Sequence, residues 1–289
     1  MARPYFAYGS NLHRADFERW CRDRGGDPAS VRLREPAHLP DHEPVFHYHS
    51  TTRRGGALDV HPRPGSAVSG ALFDVTEEGW TLLDRKEGVA SGSYHAVEVT
   101  ALTSDGRVVP ARTYRVVPDR RERFVAPADD YVALVCEGLR GLGLPDAPVR
   151  AAARGEPPPA HPGALFVYGT LMRGQVQAAL LEEHAPVSVC AGSVPGRLLA
   201  LGWYPGLVPP AHPSDRVHGE VFRFESVESL IPELDVYEDF RGYGAPDSLY
   251  HRVLLEVSTA VGRELAWAYL YVGSTVGATP IVSGRFTER

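Results

Sequence analysis

Two short stretches carry the residues that could do chemistry. Tyr8-Gly9-Ser10-Asn11-Leu12 follows Tyr5-Phe6-Ala7, and Tyr168-Gly169-Thr170-Leu171 follows Leu165-Phe166-Val167. Each apolar run reads as a buried strand that breaks at a glycine followed by a small hydroxyl residue. Glycine at a strand end lets a ligand approach bare backbone amides, and successive amides make a nest for a carboxylate. Downstream of each turn a glutamate ends an apolar helical stripe: Trp80, Leu83 and Glu87 in one case, Leu230, Leu234 and Glu238 in the other. Spacings of three and four put those residues on one helix face. Burial raises a carboxyl above its ordinary pKa of about 4.3, which makes it a usable base and acid near neutral pH. The chemistry that fits is one carboxylate shuttling a proton while a substrate carboxylate sits on the amides. Either glutamate alone could be a solvated residue at a helix end; their matched positions in two diverged segments favour the chemical role.

The elements that must position these groups recur in one order. In the first half, residues 15–22 suit a short helix with Phe17 and Trp20 on one face, and residues 45–49 and 57–60 read as strands around a turn at Arg53-Arg54-Gly55-Gly56. A strand at 69–75 leads to Thr76, a helix cap, with Glu77 and Glu78 suiting the positive helix end and Gly88 as a stop. A hairpin of residues 94–102 and 108–116 turns at Ser104-Asp105-Gly106, and residues 129–142 read as a closing helix. In the second half a helical stretch at 175–183 precedes strands at 187–190, 197–201 and 219–224. Ser226 then caps a helix with Glu228 in its first turn and Pro232 near its start, and a hairpin of 250–257 with 265–272 follows. Between the halves, Pro157-Pro158-Pro159 centres a Pro- and Ala-rich stretch that reads as an extended, semi-rigid linker. The expected organisation is a domain at 1–145, a linker at 146–163 and a second domain at 164–289.

Composition narrows the function classes. With 43% hydrophobic and 23% charged residues in 289, the chain has material for one large globular domain or two ordinary ones. A net charge of −6 without a basic run argues against nucleic acid as partner. No apolar run approaches the roughly 18 residues that span a bilayer. Met1-Ala2-Arg3-Pro4 runs straight into the first expected strand, so no signal peptide is expected. Cys21, Cys136 and Cys190 are scattered and odd in number, which suits a reducing compartment, so the cytoplasm is the expected address. Cys136 in its apolar helix reads as core, not nucleophile, and Ser10 has no suggestive histidine partner beyond His13. His38, His42, His47 and His49 invite a metal reading, with His47 and His49 on one side of a strand; without a carboxylate or cysteine at ligand spacing, no metal is expected. A single lysine, Lys86, against many arginines suggests a GC-rich bacterial genome.

At this point a family resemblance enters. Tyr8-Gly9-Ser10-Asn11, the run from Leu83 through Asp84, Glu87 and Gly88 to Tyr94, and Pro127-Ala128-Asp129-Asp130-Tyr131 together resemble γ-glutamylcyclotransferase over essentially residues 1–145. Tyr168-Gly169-Thr170-Leu171, residues 234–238, Leu249-Tyr250-His251-Arg252-Val253 and Tyr204-Pro205-Gly206-Leu207 are similar to a neighbouring branch. That branch holds γ-glutamylamine cyclotransferases and the γ-glutamyl-removing enzymes of aminoglycoside antibiotic biosynthesis. The resemblance implies an α+β fold of two tandem domains, each a mixed β-barrel with flanking helices. It implies that Glu87 and Glu238 are catalytic. It also implies that Tyr8, Gly9, Ser10, Asn11 and Leu12, with Tyr94 and Tyr131, bind substrate in the first domain. Tyr168, Gly169, Thr170, Leu171 and Tyr250 would do so in the second. The implied reaction is cyclisation of a γ-glutamyl amide to 5-oxoproline and a free amine, with the turn amides holding the α-carboxylate or the developing oxyanion. It calls for a small-molecule substrate and no cofactor, metal or nucleotide. Two alternatives stand beside it: one half is a non-catalytic binding or scaffolding domain, or the chain removes a γ-glutamyl protecting group in natural-product biosynthesis. The second half departs from the first in its Gly-Thr-Leu turn and in a longer 241–248 insertion whose glycine-flanked Tyr243 could close over an amine.

Overall fold

The computed structural model describes residues 3–286; Met1 and Ala2, part of the N-terminal reading above, lie outside them. The chain forms two compact units, one of residues up to 102 with 109–159, the other of residues 103–108 with 160 onward.

The first unit is a closed barrel of five strands: β1 (Tyr5–Ala7), β2 (Val31–Ser50), β3 (Gly55–Val75), β4 (Tyr94–Leu102) and β5 (Val108–Val116), in the order β1-β3-β2-β4-β5. β1 pairs antiparallel with β3, Phe6 opposite Leu72, and closes the barrel by a parallel pairing of Tyr5 with Arg112 of β5. The strands expected at 45–49, 57–60 and 69–75 are parts of one long hairpin, β2 with β3. Pro36, Pro40, Pro44, Pro62 and Pro64 punctuate it. Proline removes a ladder donor, and the pairing absorbs the disruption in register shifts at Leu33/Glu35, Pro40/His42 and Phe46/Tyr48. The last of these separates the two histidines expected on one side: His47 is buried and His49 exposed.

Helices α1 (Arg14–Arg22), α2 (Glu77–Lys86), α3 (Asp129–Gly141) and α4 (Ala147–Ala153) flank the barrel. Thr76 caps α2 by accepting from the Gly79 amide at 3.2 Å, and Gly88 stops the run in the left-handed region, φ 67°. Helix α4 occupies part of the stretch read as an extended linker. Its proline, Pro148, falls in the first turn where the missing amide costs little, the alanines favour helix, and Val149 and Ala152 join the first core.

The second unit repeats the barrel with β6 (Ala164–Val167), β7 (Ser188–Pro195), β10 (Arg216–Arg223), β11 (Tyr250–Thr259) and β12 (Gly262–Tyr271). Starting from the opening strand, its order is β6-β10-β7-β11-β12, the same circuit as the first barrel, and it closes by the same parallel pairing, Leu165 with Trp267. Between β7 and β10, β8 (Arg197–Ala200) and β9 (Pro205–Val208) form a separate small sheet with β13 (Thr279–Pro280). Helix α5 is short, Ala178–Glu182. Helix α6 starts later than Ser226 suggested: it spans Leu230–Tyr237, with Ser229 before it and Pro232 in its first turn. Ser226 instead accepts from the Glu228 amide just upstream, at 3.3 Å.

A matched glycine fixes how closely each opening strand is packed. A Cβ at Gly70 would lie 2.2 Å from the Ala7 carbonyl oxygen, and one at Gly219 2.0 Å from that of Val167, the last residue before each Tyr-Gly turn. Gly70→Ala should therefore push the opening strand outward and destabilise the protein by about 1–3 kcal/mol. Gly141→Ala, where a Cβ meets nothing within 4 Å, should leave it unchanged. Thermal unfolding of the two variants checks this; equal melting temperatures would show that the strand yields.

Candidate functional site

In the first unit Glu87 stands at the C-cap of α2 with the turn after β1 before it. The turn closes on itself through the Leu12 amide donating to the Gly9 carbonyl at 3.0 Å. Asn11 donates one amide group to both the Glu87 Oε1 (2.8 Å) and the Tyr5 hydroxyl (2.9 Å). Tyr131 and Tyr94 bracket Leu58 of β3: the Leu58 amide donates to the Tyr131 hydroxyl at 3.3 Å, and the Tyr94 hydroxyl donates to the Leu58 carbonyl at 3.1 Å. Tyr5, Tyr8, Tyr94 and Tyr131 are all held above the ordinary tyrosine value, chiefly by burial, with the negative charge of Glu87 adding to each. They remain neutral hydrogen-bonding walls. The Glu87 carboxyl is itself raised by burial, while Lys86, Asn11 and Arg53 pull it back.

Two residues outside the sequence-derived set tie this arrangement together. The Tyr8 hydroxyl donates to the Tyr114 carbonyl at 2.6 Å, and the Tyr114 hydroxyl donates to Asp84 at 2.6 Å. Asp84 lies one helical turn before Glu87, so the relay runs from the opening turn through β5 to the helix that carries the glutamate. Behind it, the buried Asp59 meets the Tyr8 hydroxyl (3.2 Å) and His47 Nε2 (2.6 Å). A carboxylate thus reaches His47 from the neighbouring strand, where sequence spacing had offered none. Among the described residues no group of three or more His, Cys, Asp or Glu is placed to hold a metal.

The second unit reproduces the relay. Tyr168 donates to the Tyr269 carbonyl at 2.8 Å, and Tyr269 donates to Asp235, three residues before Glu238, at 2.7 Å. Its turn closes with the Met172 amide on the Gly169 carbonyl at 3.0 Å. Tyr168, Gly169, Thr170, Leu171, Glu238 and Tyr250, all drawn from the sequence, line a cavity of about 200 Å³. Trp203, Tyr204, Pro205, Tyr237 and Tyr269 complete much of its wall. Tyr250 donates to the Pro205 carbonyl at 2.9 Å, tying the hairpin to the small sheet. Tyr243, expected as a closing residue, packs on Phe240 at 5.0 Å and is not among the cavity's lining residues.

Comparison with known proteins agrees with this geometry. A family model described as gamma-glutamyl cyclotransferase, AIG2-like, matches residues 165–288, and one described as AIG2-like family matches residues 67–151. The Bos taurus gamma-glutamylcyclotransferase is 32% identical over 152 residues, 49% of this chain and 72% of that protein. The Homo sapiens protein of the same name is 30% identical over the same shares. The chain belongs to the γ-glutamylcyclotransferase family. It carries two domains of that family in tandem. A third relative, gamma-L-glutamyl-butirosin B gamma-glutamyl cyclotransferase from Niallia circulans, is 33% identical over 108 residues, 37% of this chain and 65% of that protein.

Within this tandem cyclotransferase fold the two glutamates differ in their surroundings for a reason readable residue by residue. Leu171 stands where the first turn has Asn11, and Tyr237 stands where α2 has Lys86. Glu238 therefore lacks both the amide donor and the ammonium, and burial alone lifts its carboxyl to about 8. A carboxyl whose native pKa exceeds its unfolded one holds its proton in the folded state after the unfolded chain has lost it. Stability then falls as pH rises from the ordinary carboxyl range to about 8 and is flat beyond. Glu238→Gln abolishes that dependence. Its melting temperature should gain on the parent between about pH 5 and about pH 8 and hold a constant lead above. A lead independent of pH would mean that Glu238 ionises freely.

Proposed function

We propose that each unit cyclises γ-glutamyl amides to 5-oxoproline and a free amine, with Glu87 and Glu238 as the proton-transferring groups. The observation that carries this is the same carboxyl in both units: at a helix C-cap, facing the glycine turn, and raised toward neutrality by burial. The substrate enters with its α-amine protonated, because the free α-carboxylate beside it favours the ammonium. The carboxylate takes one proton, and the freed amine attacks the γ-carbonyl carbon within the same molecule. Holding the curled conformer replaces much of the entropy cost of bringing reactants together. Turn amides hold the α-carboxylate or stabilise the oxyanion. As the tetrahedral intermediate collapses, the new ring C–N bond stays and the bond to the leaving nitrogen breaks. The protonated glutamate gives that nitrogen its proton. The ring nitrogen loses a second proton, and the amine leaves as an ammonium, so the reaction neither consumes nor releases protons overall.

The Niallia circulans relative is named for removal of a γ-glutamyl group from butirosin, which supports including γ-glutamylated aminoglycosides among candidate substrates. We infer separate leaving-group preferences for the two sites, because the turn and the glutamate are retained in both while the walls differ. Assay of 5-oxoproline release from γ-glutamyl amino acids, γ-glutamylamines and γ-glutamylated aminoglycosides tests this with three variants. Glu87→Gln and Glu238→Gln should each lose one substrate class by at least about 10²-fold, the size expected for a general acid–base group. Only the double variant should lose both. If one single variant abolishes all turnover while the other is silent, the silent half is a scaffold.

The pH dependence separates the sites as well. The free base is needed, so each kcat/KM profile rises with pH through the pKa of its glutamate. Lys86, Asn11 and Arg53 hold Glu87 down and nothing comparable holds Glu238. The acid limb measured in Glu238→Gln, reporting the first site, should thus lie at lower pH than the limb measured in Glu87→Gln. Coincident limbs would contradict the assignment of the bases.

A further inference from the structure

The hydroxyl that follows each turn glycine has a different partner in the two units. In the first, Arg53 Nη2 donates to the Ser10 hydroxyl at 3.1 Å; in the second, the equivalent Thr170 hydroxyl meets the Tyr237 hydroxyl, also at 3.1 Å. Arg53 projects from the turn between β2 and β3, and its guanidinium lies 5.0 Å from the centre of the Tyr131 ring. Its side chain is 27% exposed, so it stands at the rim of the site and not behind it. Asp16 approaches it at 3.6 Å but also accepts from Arg19 at 2.6 Å, so one carboxylate serves two guanidiniums. Lys86, with its ammonium 4.9 Å from the Trp20 ring, adds a further positive charge close to Glu87. The mouth of the first site is therefore electropositive outside its catalytic carboxyl. Among the described residues, no Lys, Arg or His lines the cavity of the second.

The contrast assigns the cation to one half of the substrate. Both sites must hold the same γ-glutamyl group, and the second does so without a cationic lining residue. Features common to both, the glycine turn and its tyrosines, must then suffice for that group. A cation present at one site only addresses the part of the substrate that differs, the departing amine. A guanidinium is suited to it because its planar fork meets a carboxylate with two parallel hydrogen bonds.

Building on the cyclotransferase reading, we propose that Arg53 recognises the carboxylate of a departing amino acid. A preference for a carboxylate on the departing amine is then carried by one side chain that no lining residue of the second cavity replaces.

The test uses the full chain with Glu238→Gln, so that only the first site turns over, and two isosteric substrates, γ-glutamyl-alanine and γ-glutamyl-alaninamide. The parent should prefer the carboxylate form. Arg53→Gln should lower that preference about 10- to 100-fold, the loss expected for a charged hydrogen-bonding pair, with the change carried by KM for γ-glutamyl-alanine. Arg53→Lys should recover part of the preference, since charge is restored without the fork. In the reciprocal background, Glu87→Gln, the second site should show no preference for γ-glutamyl-alanine. An unchanged preference ratio in Arg53→Gln, whether both rates fall together or neither falls, overturns the proposal, as does a second site that favours γ-glutamyl-alanine. Failure of the parent to release 5-oxoproline from either substrate would instead overturn the cyclotransferase reading on which the proposal rests.

Discussion

The site depends on a hydrogen-bond relay between a tyrosine, a second tyrosine and an aspartate. Tyr8 donates to the Tyr114 carbonyl and Tyr114 to Asp84 in one unit; Tyr168 donates to the Tyr269 carbonyl and Tyr269 to Asp235 in the other. Hydrophobic burial alone would hold the helix, strand and turn near one another without fixing register, because apolar contact has no direction. The relay supplies direction. It leaves the aspartate at the helix end with a donor, and an unpaired carboxylate or hydroxyl there would cost about 1–3 kcal/mol or more. One turn of helix further on, the glutamate is delivered opposite the glycine turn. The aspartate in the relay and the glutamate facing the turn are thus set on a single helix by a spacing of three.

With that frame held constant, the same carboxyl is given two characters by its neighbours. Burial raises both. In the first unit an amide donor at 2.8 Å and two cations stabilise the charged form; in the second, leucine and tyrosine stand in for Asn11 and Lys86, and burial lifts the carboxyl to about 8. The second carboxyl is therefore a stronger base but is ionised in a smaller fraction of molecules at neutral pH. In the proposed reaction, Brønsted behaviour would make these opposing effects partly cancel in rate. Their effect on stability does not cancel: a carboxyl kept neutral by burial costs the fold more as pH rises.

How much of this was legible in the sequence varies with the range of the interaction. The β4–β5 hairpin was readable because its alternation and its Asp105-Gly106 turn are local, and Gly106 takes φ 86° as such a turn asks. The capping of α2 by Thr76 and its stop at Gly88 were local too. The length of β2 and β3 was not, since five prolines read as loop until bulges are allowed to absorb them. Helix α4 was masked by the same residue bias, although its alanines favour helix once Val149 and Ala152 have a core to enter. The glutamates and glycine turns stood out because they recur. Asp84 and Asp235 recur just as regularly, three residues earlier, and their tyrosine partners recur in the last barrel strand. That signal was present, but its meaning needed the barrel to bring β5 beside α2. Arg53 left no repeat to find, because the second unit has no counterpart; in sequence it was only half of an Arg-Arg turn.

That asymmetry separates what the duplication has preserved from what it has allowed to change. Gly70 and Gly219, the turns, the relays and the glutamates are matched in kind and place, and all of them act inside the barrel or at its lip, where a methyl group or a lost donor is felt. The walls farther out are built from unrelated pieces: α3 with Tyr131 and the long hairpin with Arg53 in one unit, the small β8–β9 sheet with Trp203 and Tyr204 in the other. Changes at the exposed Trp203 or the partly exposed Arg53 leave the core packing intact and cost little stability, whereas Tyr131 is itself buried in the first core and accepts from the Leu58 amide. In the proposed reaction, changes in these walls would alter the charge and shape of the region facing the departing amine, while the matched interior stays as it is. Arg53 is where the two layers meet, since its guanidinium reaches both the Ser10 hydroxyl of the turn and the Tyr131 ring, so a change at this one residue is felt by the matched interior as well as by the wall.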